Sequence, residues 1–168
     1  MNTEDIKELE VLANNGDVGA IYELGKRYFD GIGVAVDYNK AKEYFEVASE
    51  RGSHGSDYYL GKMFYNGNGV ATNHLKAKEY FEKASDADNI FAKYYLGKLY
   101  YWGDGVEKDH NKANEYKVTI LNKPIYANQR AGLQEFYSLT DIEGITKEYV
   151  GEIQEKVFQE YKGLYGKE

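Results

Sequence analysis

The leucines at 24, 60 and 96 recur with a period of 36 residues and no insertion, and around them the chain repeats itself. "AIYELGKRYFDGIGVAVDYNKAKEYFEVA" from Ala20, "SDYYLGKMFYNGNGVATNHLKAKEYFEKA" from Ser56 and "AKYYLGKLYYWGDGVEKDHNKANEYKVTI" from Ala92 align without a gap. All three keep the residue types found in the first copy at Tyr22, Leu24, Gly25, Lys26, Gly31, Gly33, Val34, Lys40, Ala41, Glu43 and Tyr44. A fixed period of this length restricts the fold to an array of small units. Each is too small to bury its own apolar face and must stack on its neighbours.

One period reads as helix, turn, helix. Ala20, Leu24 and Tyr28 follow helical spacing, Gly31 and Gly33 break that helix, and a second carries Ala41, Tyr44, Phe45 and Ala48. Asp37, Asn73 and Asp109 stand where an N-cap oxygen would take an orphan amide of the second helix. Gly25, Gly61 and Gly97 lie inside the first helix, where glycine costs ~1 kcal/mol relative to alanine. A cost repeated at one register predicts close approach of the second helix, with its small Ala41 and Ala48.

The string A-x-Y-x-L-G-x-x-Y-x-x-G-x-G-V-x-x-D-x-x-K-A-x-x-Y resembles the Sel-one-like repeat, a relative of the tetratricopeptide repeat, over roughly residues 19–122. The resemblance implies an all-α fold, a short right-handed α/α solenoid of helix-turn-helix repeats. The expected division is 1–18 as an N-terminal half-repeat cap helix, 19–53, 54–89 and 90–124 as repeats 1 to 3, and 125–168 as a C-terminal helical cap. In the N-terminal half-repeat Leu12 and Gly16 precede Ala48 and Gly52 by one period, with Thr3 as its expected cap. After Pro124 the pattern decays. A capping box at "TDIE" from Thr140 and a stripe of Ile145, Tyr149, Ile153, Val157, Tyr161 and Leu164 predict a long closing helix.

Composition removes several classes of function. There is no cysteine, hence no disulfide framework and no thiolate metal site. A net charge of -7 weighs against nucleic-acid binding and favours a basic protein partner. The acidic "MNTEDIKELEVLANNGD" is unlike a signal peptide, and no stretch approaches the ~18 apolar residues of a membrane span, so a cytoplasmic location is expected.

The glycine loops invite a phosphate or calcium reading, and both fail on their own terms. A dinucleotide site needs a third glycine between a strand and a helix. An EF-hand needs alternating oxygen ligands, which "DGIGVAVD", "NGNGVATN" and "GDGVEKDH" do not supply. A helix-stopping turn accounts for all three copies. His74 and His110, one period apart, read as first-turn surface residues, not metal ligands, and Glu43, Glu79 and Glu115 as a solvated face. No nucleophile has an evident base, so no catalytic residue, cofactor or metal is expected, and the chain is not expected to be an enzyme.

With Leu24 pointing inward, positions 22, 23, 26 and 30 share the other side of the first helix. They read Tyr22, Glu23, Lys26, Asp30, then Tyr58, Tyr59, Lys62, Asn66, then Tyr94, Tyr95, Lys98, Trp102. The resemblance places first helices along the concave side of the superhelix, which makes Glu23, Lys26, Tyr59, Lys62, Tyr95, Lys98 and Trp102 the candidate partner-binding residues. Tyr59, Tyr95 and Trp102 suit rim packing between repeats equally well. Similar repeats occur in bacterial adaptors and in small immunity proteins that neutralise a toxin domain. The expectation is therefore a non-catalytic protein-binding module, with a basic toxin domain as one partner, or an adaptor in a signalling or secretion assembly. Hydrolysis of beta-lactams, ascribed to some secreted relatives, is disfavoured because those are rich in disulfide-forming cysteines.

Overall fold

The computed structural model describes residues 3–121, which form seven helices and, among the described residues, no strand. They are α1 (Thr3–Asn14), α2 (Val18–Asp30), α3 (Tyr38–Glu50), α4 (His54–Asn66), α5 (His74–Asp86), α6 (Ile90–Trp102) and α7 (His110–Leu121). The pairs α2–α3, α4–α5 and α6–α7 are the three sequence copies, and consecutive helices pack along the chain from α1 to α6. The side chain of the expected Thr3 cap and the whole expected closing helix lie outside the described residues.

Both helix starts of every unit are capped. Asp37, Asn73 and Asp109 accept the amides of Lys40, Lys76 and Lys112 at 2.9–3.0 Å, as their short oxygens predict. A second set, not singled out from the sequence, caps the first helices: Asp17, Ser53 and Asn89, again 36 residues apart, accept from Ala20, Ser56 and Ala92. Gly31, Gly67 and Gly103 end those helices in the left-handed conformation at φ 71°, 76° and 77°. That conformation costs a side-chain-bearing residue ~1–2 kcal/mol, hence glycine. The second glycine of each loop also has positive φ, and it lies against the unit before: a Cβ on Gly69 would meet the Tyr38 Cβ at 2.5 Å, and one on Gly105 would meet the His74 Cβ at 2.8 Å. The loop is a reversal and a packing surface at once.

The intrahelical glycines make room for a ring. A Cβ on Gly25 would fall 2.6 Å from the ring of Phe45, and one on Gly61 would fall 2.5 Å from that of Phe81, both rings being fully buried. Leu24, Leu60 and Leu96 are fully buried as well, and so are Ala41, Ala48, Ala77 and Ala84 of the second helices. In the third copy, position 117 is a lysine, and among the described residues a Cβ on Gly97 would make ordinary contacts, at 3.6 Å.

The register at 21, 57 and 93 is buried at each junction between units, and each copy is satisfied differently. At the first, Ile21 is buried without a polar group. At the second, the same register holds Asp57, 3 % exposed, whose Oδ1 accepts from Ser49 Oγ of α3 at 2.5 Å. At the third it holds the buried Lys93, whose Nζ donates to Asp88 Oδ1 at 2.5 Å. Asp88 stands in the left-handed region at φ 70°, where the other junctions have Gly16 and Gly52 at φ 89°. A buried charge is tolerated only when paired, so Asp88 and Lys93 belong together.

Candidate functional site

The candidate residues lie on the first helices α2, α4 and α6, and two of the tyrosines have a packing role. Tyr59 of α4 stacks on Phe45 of the preceding unit, with centroids 4.8 Å apart and planes 16° apart. Tyr95 of α6 repeats this on Phe81, at 4.7 Å and 12°. Gly25, Phe45 and Tyr59 thus form one layered group and Gly61, Phe81 and Tyr95 the next. Glu23 holds the equivalent place in the first unit, where α1 offers Leu9 at the register of Phe45 and no ring to stack on.

The lysines are seated on these rings. Lys62 Nζ lies 5.3 Å from the centroid of Phe29, 5.6 Å from Tyr58 and 5.5 Å from Tyr59, so it bridges two neighbouring first helices. Lys98 Nζ lies 5.2 Å from Tyr65, 5.7 Å from Tyr94 and 5.7 Å from Tyr95. A ring face attracts an ammonium by about 0.5–2 kcal/mol, depending on how dry the site is. Lys26 has one ring, Tyr22 at 5.4 Å, and a carboxylate: Glu23 Oε2 at 2.8 Å. Arg27 Nε reaches the other Glu23 oxygen at 2.9 Å. Burial pushes the Glu23 carboxyl up, but the bonds from Lys26 and Arg27 outweigh it and hold the group below its usual value. Among the described residues no carboxylate pairs with Lys62 or Lys98.

Trp102, at the end of α6, is 52 % exposed and meets Tyr101 edge to face at 4.8 Å, while Tyr101 meets His110 at 4.9 Å. His74 lies against Tyr65 at 5.1 Å, tilted by 32°, and Tyr38 meets Phe29 edge to face at 5.4 Å. The two histidines therefore belong to a repeated ring contact between the helices of a unit. Phe29 and Tyr65 join the site although neither is among the candidate residues. Their signal was the aromatic residue at every copy of that register, Phe29, Tyr65 and Tyr101.

Among the described residues, the grouping of Ser49, His54 and Asp57 lacks the order that acyl transfer needs. Ser49 Oγ donates to Asp57, and His54 Nδ1 lies 3.3 Å from the other oxygen of the same carboxylate. The imidazole is not placed to take the serine proton. Among the described residues no three His, Asp or Glu side chains converge as metal ligands, and no helix is long and apolar enough to cross a membrane. Glu43, Glu79 and Glu115 are exposed on the second helices.

Burial makes the aromatic ladder alkali-sensitive. Tyr22, Tyr44, Tyr80, Tyr94 and Tyr116 all have phenols raised above the usual 10.0, chiefly because burial disfavours the phenolate, Tyr94 most strongly. A raised folded-state value means stability that is complete below pH 10 and drains away as the pH climbs above it, since only the unfolded chain then ionises freely. We expect phenolate absorbance near 295 nm to rise together with loss of helical ellipticity above about pH 10. Free-tyrosine titration at pH 10 with the helices intact would contradict it.

The architecture is that of a solenoid of helix-turn-helix repeats. The Sel1 repeat model matches residues 18–53, 56–89 and 90–116, more than half of the chain, and the protein belongs to the Sel1 repeat family. A Sel1 repeat protein from Oxalobacter formigenes is similar at 30% identity with a TM-score of 0.62, covering 78% of this chain and 98% of its own. The protective antigen c5321 of uropathogenic Escherichia coli, which displays an SLR fold, is similar at 27% identity with a TM-score of 0.71. That match covers 92% of this chain and 33% of the antigen. No curated protein matches the chain.

Proposed function

We propose that the protein is a non-catalytic protein-interaction module that holds its partner on the face lined by α2, α4 and α6. Repeat solenoids of this kind generally work by presenting an extended surface. The observation that carries the reading is the pair of lysines, Lys62 and Lys98, seated on rings drawn from two adjacent units, with the half-exposed Trp102 at the end of the same row. Tryptophan and tyrosine are enriched among binding hot spots, and here tyrosine rings orient the two ammonium groups.

Capture of the host partner by the full chain tests it. Trp102→Ala and Lys98→Met should each weaken a stoichiometric complex about 30-fold, the loss typical of a hot spot. Glu79→Gln, on the second-helix face, should leave it unchanged.

A second reading rests on the row of exposed acids Glu43, Glu79 and Glu115 in a chain of net charge -7. Here the second helices hold a basic domain, as in a cytoplasmic immunity protein neutralising a toxin. It predicts the reverse outcome, loss with Glu79→Gln and indifference to Trp102→Ala. An adaptor in a larger assembly would give the first pattern with a partner that is not toxic.

A further inference from the structure

The first unit contains a carboxylate that the other two lack. In repeat 1, Glu23 lies on Lys26 at 2.8 Å. One and two periods later the same position carries Tyr59 and Tyr95. Lys62 and Lys98 keep the register of Lys26 and are half-buried among three rings each. A partly desolvated ammonium that, among the described residues, meets ring faces and no carboxylate retains a demand for an anion. The Glu23–Lys26 pair is the chain's own example of how that demand is met.

Resting on the first-helix reading of the site, we infer that Lys62 and Lys98 receive two carboxylates of an extended acidic segment of a partner protein. The spacing follows from the fold. Lys62 and Lys98 stand on α4 and α6, which pack against each other, and packed helices lie ~8–10 Å apart. A polyproline II segment rises ~3.1 Å per residue with three residues per turn, so acids at i and i+3 lie ~9 Å apart on one side. The tyrosine rings flanking each lysine give the peptide stem between the acids an apolar floor. Glu23 closes the row at the α2 end, because a third acid there would meet a lysine already paired and a like charge. The segment recognised is thus acidic, proline-compatible and two carboxylates long.

The probe is a short N-acetylated, C-amidated peptide of Pro and Ala with Glu at i and i+3, titrated into the full chain at low ionic strength by fluorescence anisotropy. Replacing either Glu with Gln should cost about tenfold in affinity, and so should Lys62→Met or Lys98→Met, which keep the aliphatic stem on the rings. Glu23→Gln frees Lys26, and a peptide extended to a third Glu at i+6 should then bind about tenfold tighter than the two-Glu peptide, a gain that misfolding cannot mimic. Affinity indifferent to both lysines, no gain on Glu23→Gln, or tighter binding of the same peptide carrying Lys in place of Glu would each overturn the inference. If the acidic peptides fail while the host partner still requires Lys98 and Trp102, this inference falls and the partner-binding face stands. If the partner ignores both residues, the face itself is wrong.

Discussion

Phe81→Ala should destabilise the protein by about 3–5 kcal/mol, the range for deleting a fully buried phenylalanine that its surroundings cannot fill. The reason is the number of elements that meet on that ring. Phe81 belongs to α5, lies against Gly61 of α4, and offers its face to Tyr95 of α6 at 4.7 Å. Its loss empties the core of one unit and removes the floor under the next. In a linear array the stability is a sum of units and of nearest-neighbour junctions, so damage at one junction uncouples what lies on either side. Thermal unfolding followed by circular dichroism should therefore broaden or split into two transitions. A single sharp transition shifted by only a degree or two would show that the ring is not the keystone its packing suggests.

A glycine-to-alanine pair gives opposite signs from the same substitution at the same register. In an exposed helix the change normally stabilises by up to ~1 kcal/mol. At Gly61 the new methyl would sit 2.5 Å from a buried, stacked ring that has nowhere to go, and overpacking of that kind costs about 1–3 kcal/mol. At Gly97 the methyl meets the Ala113 carbonyl oxygen and the Tyr116 Cβ at 3.6 Å, which is ordinary contact. We expect Gly61→Ala to lower the urea midpoint and Gly97→Ala to hold or raise it. Equal effects at the two sites would mean that the glycines are kept for backbone reasons alone.

The helix pairs were legible because their signals are local and were printed three times. Asp37, Asn73 and Asp109 cap, and Gly31, Gly67 and Gly103 stop, for reasons that need no tertiary information. The purpose of Gly25 was legible only in part. Its register announced a close approach, but the sequence suggested the small Ala41 and Ala48, and the space is taken by the ring of Phe45 from one turn further along. Tyr59 and Tyr95 were ambiguous for a different reason. Whether a ring at the rim faces solvent or the previous unit depends on what that unit offers, and the offer, Phe45 or Phe81, lies 14 residues earlier on another helix. The seating of Lys62 on Phe29 crosses units in the same way, which no single-helix argument could anticipate.

The fastenings at the junctions bear on how such a chain can change over time. Ile21, Asp57 and Lys93 occupy one register, yet each is satisfied by a different neighbour: apolar surroundings, Ser49 and Asp88. The copies are alike in shape and unlike in address. Removing the middle unit, 54–89, would bring α6 onto α3 with Asp88 gone and the Lys93 ammonium set against Ser49, a buried cation without its anion. Each unit therefore has a fixed place in line, and exchanging or deleting one leaves a buried charge without its partner.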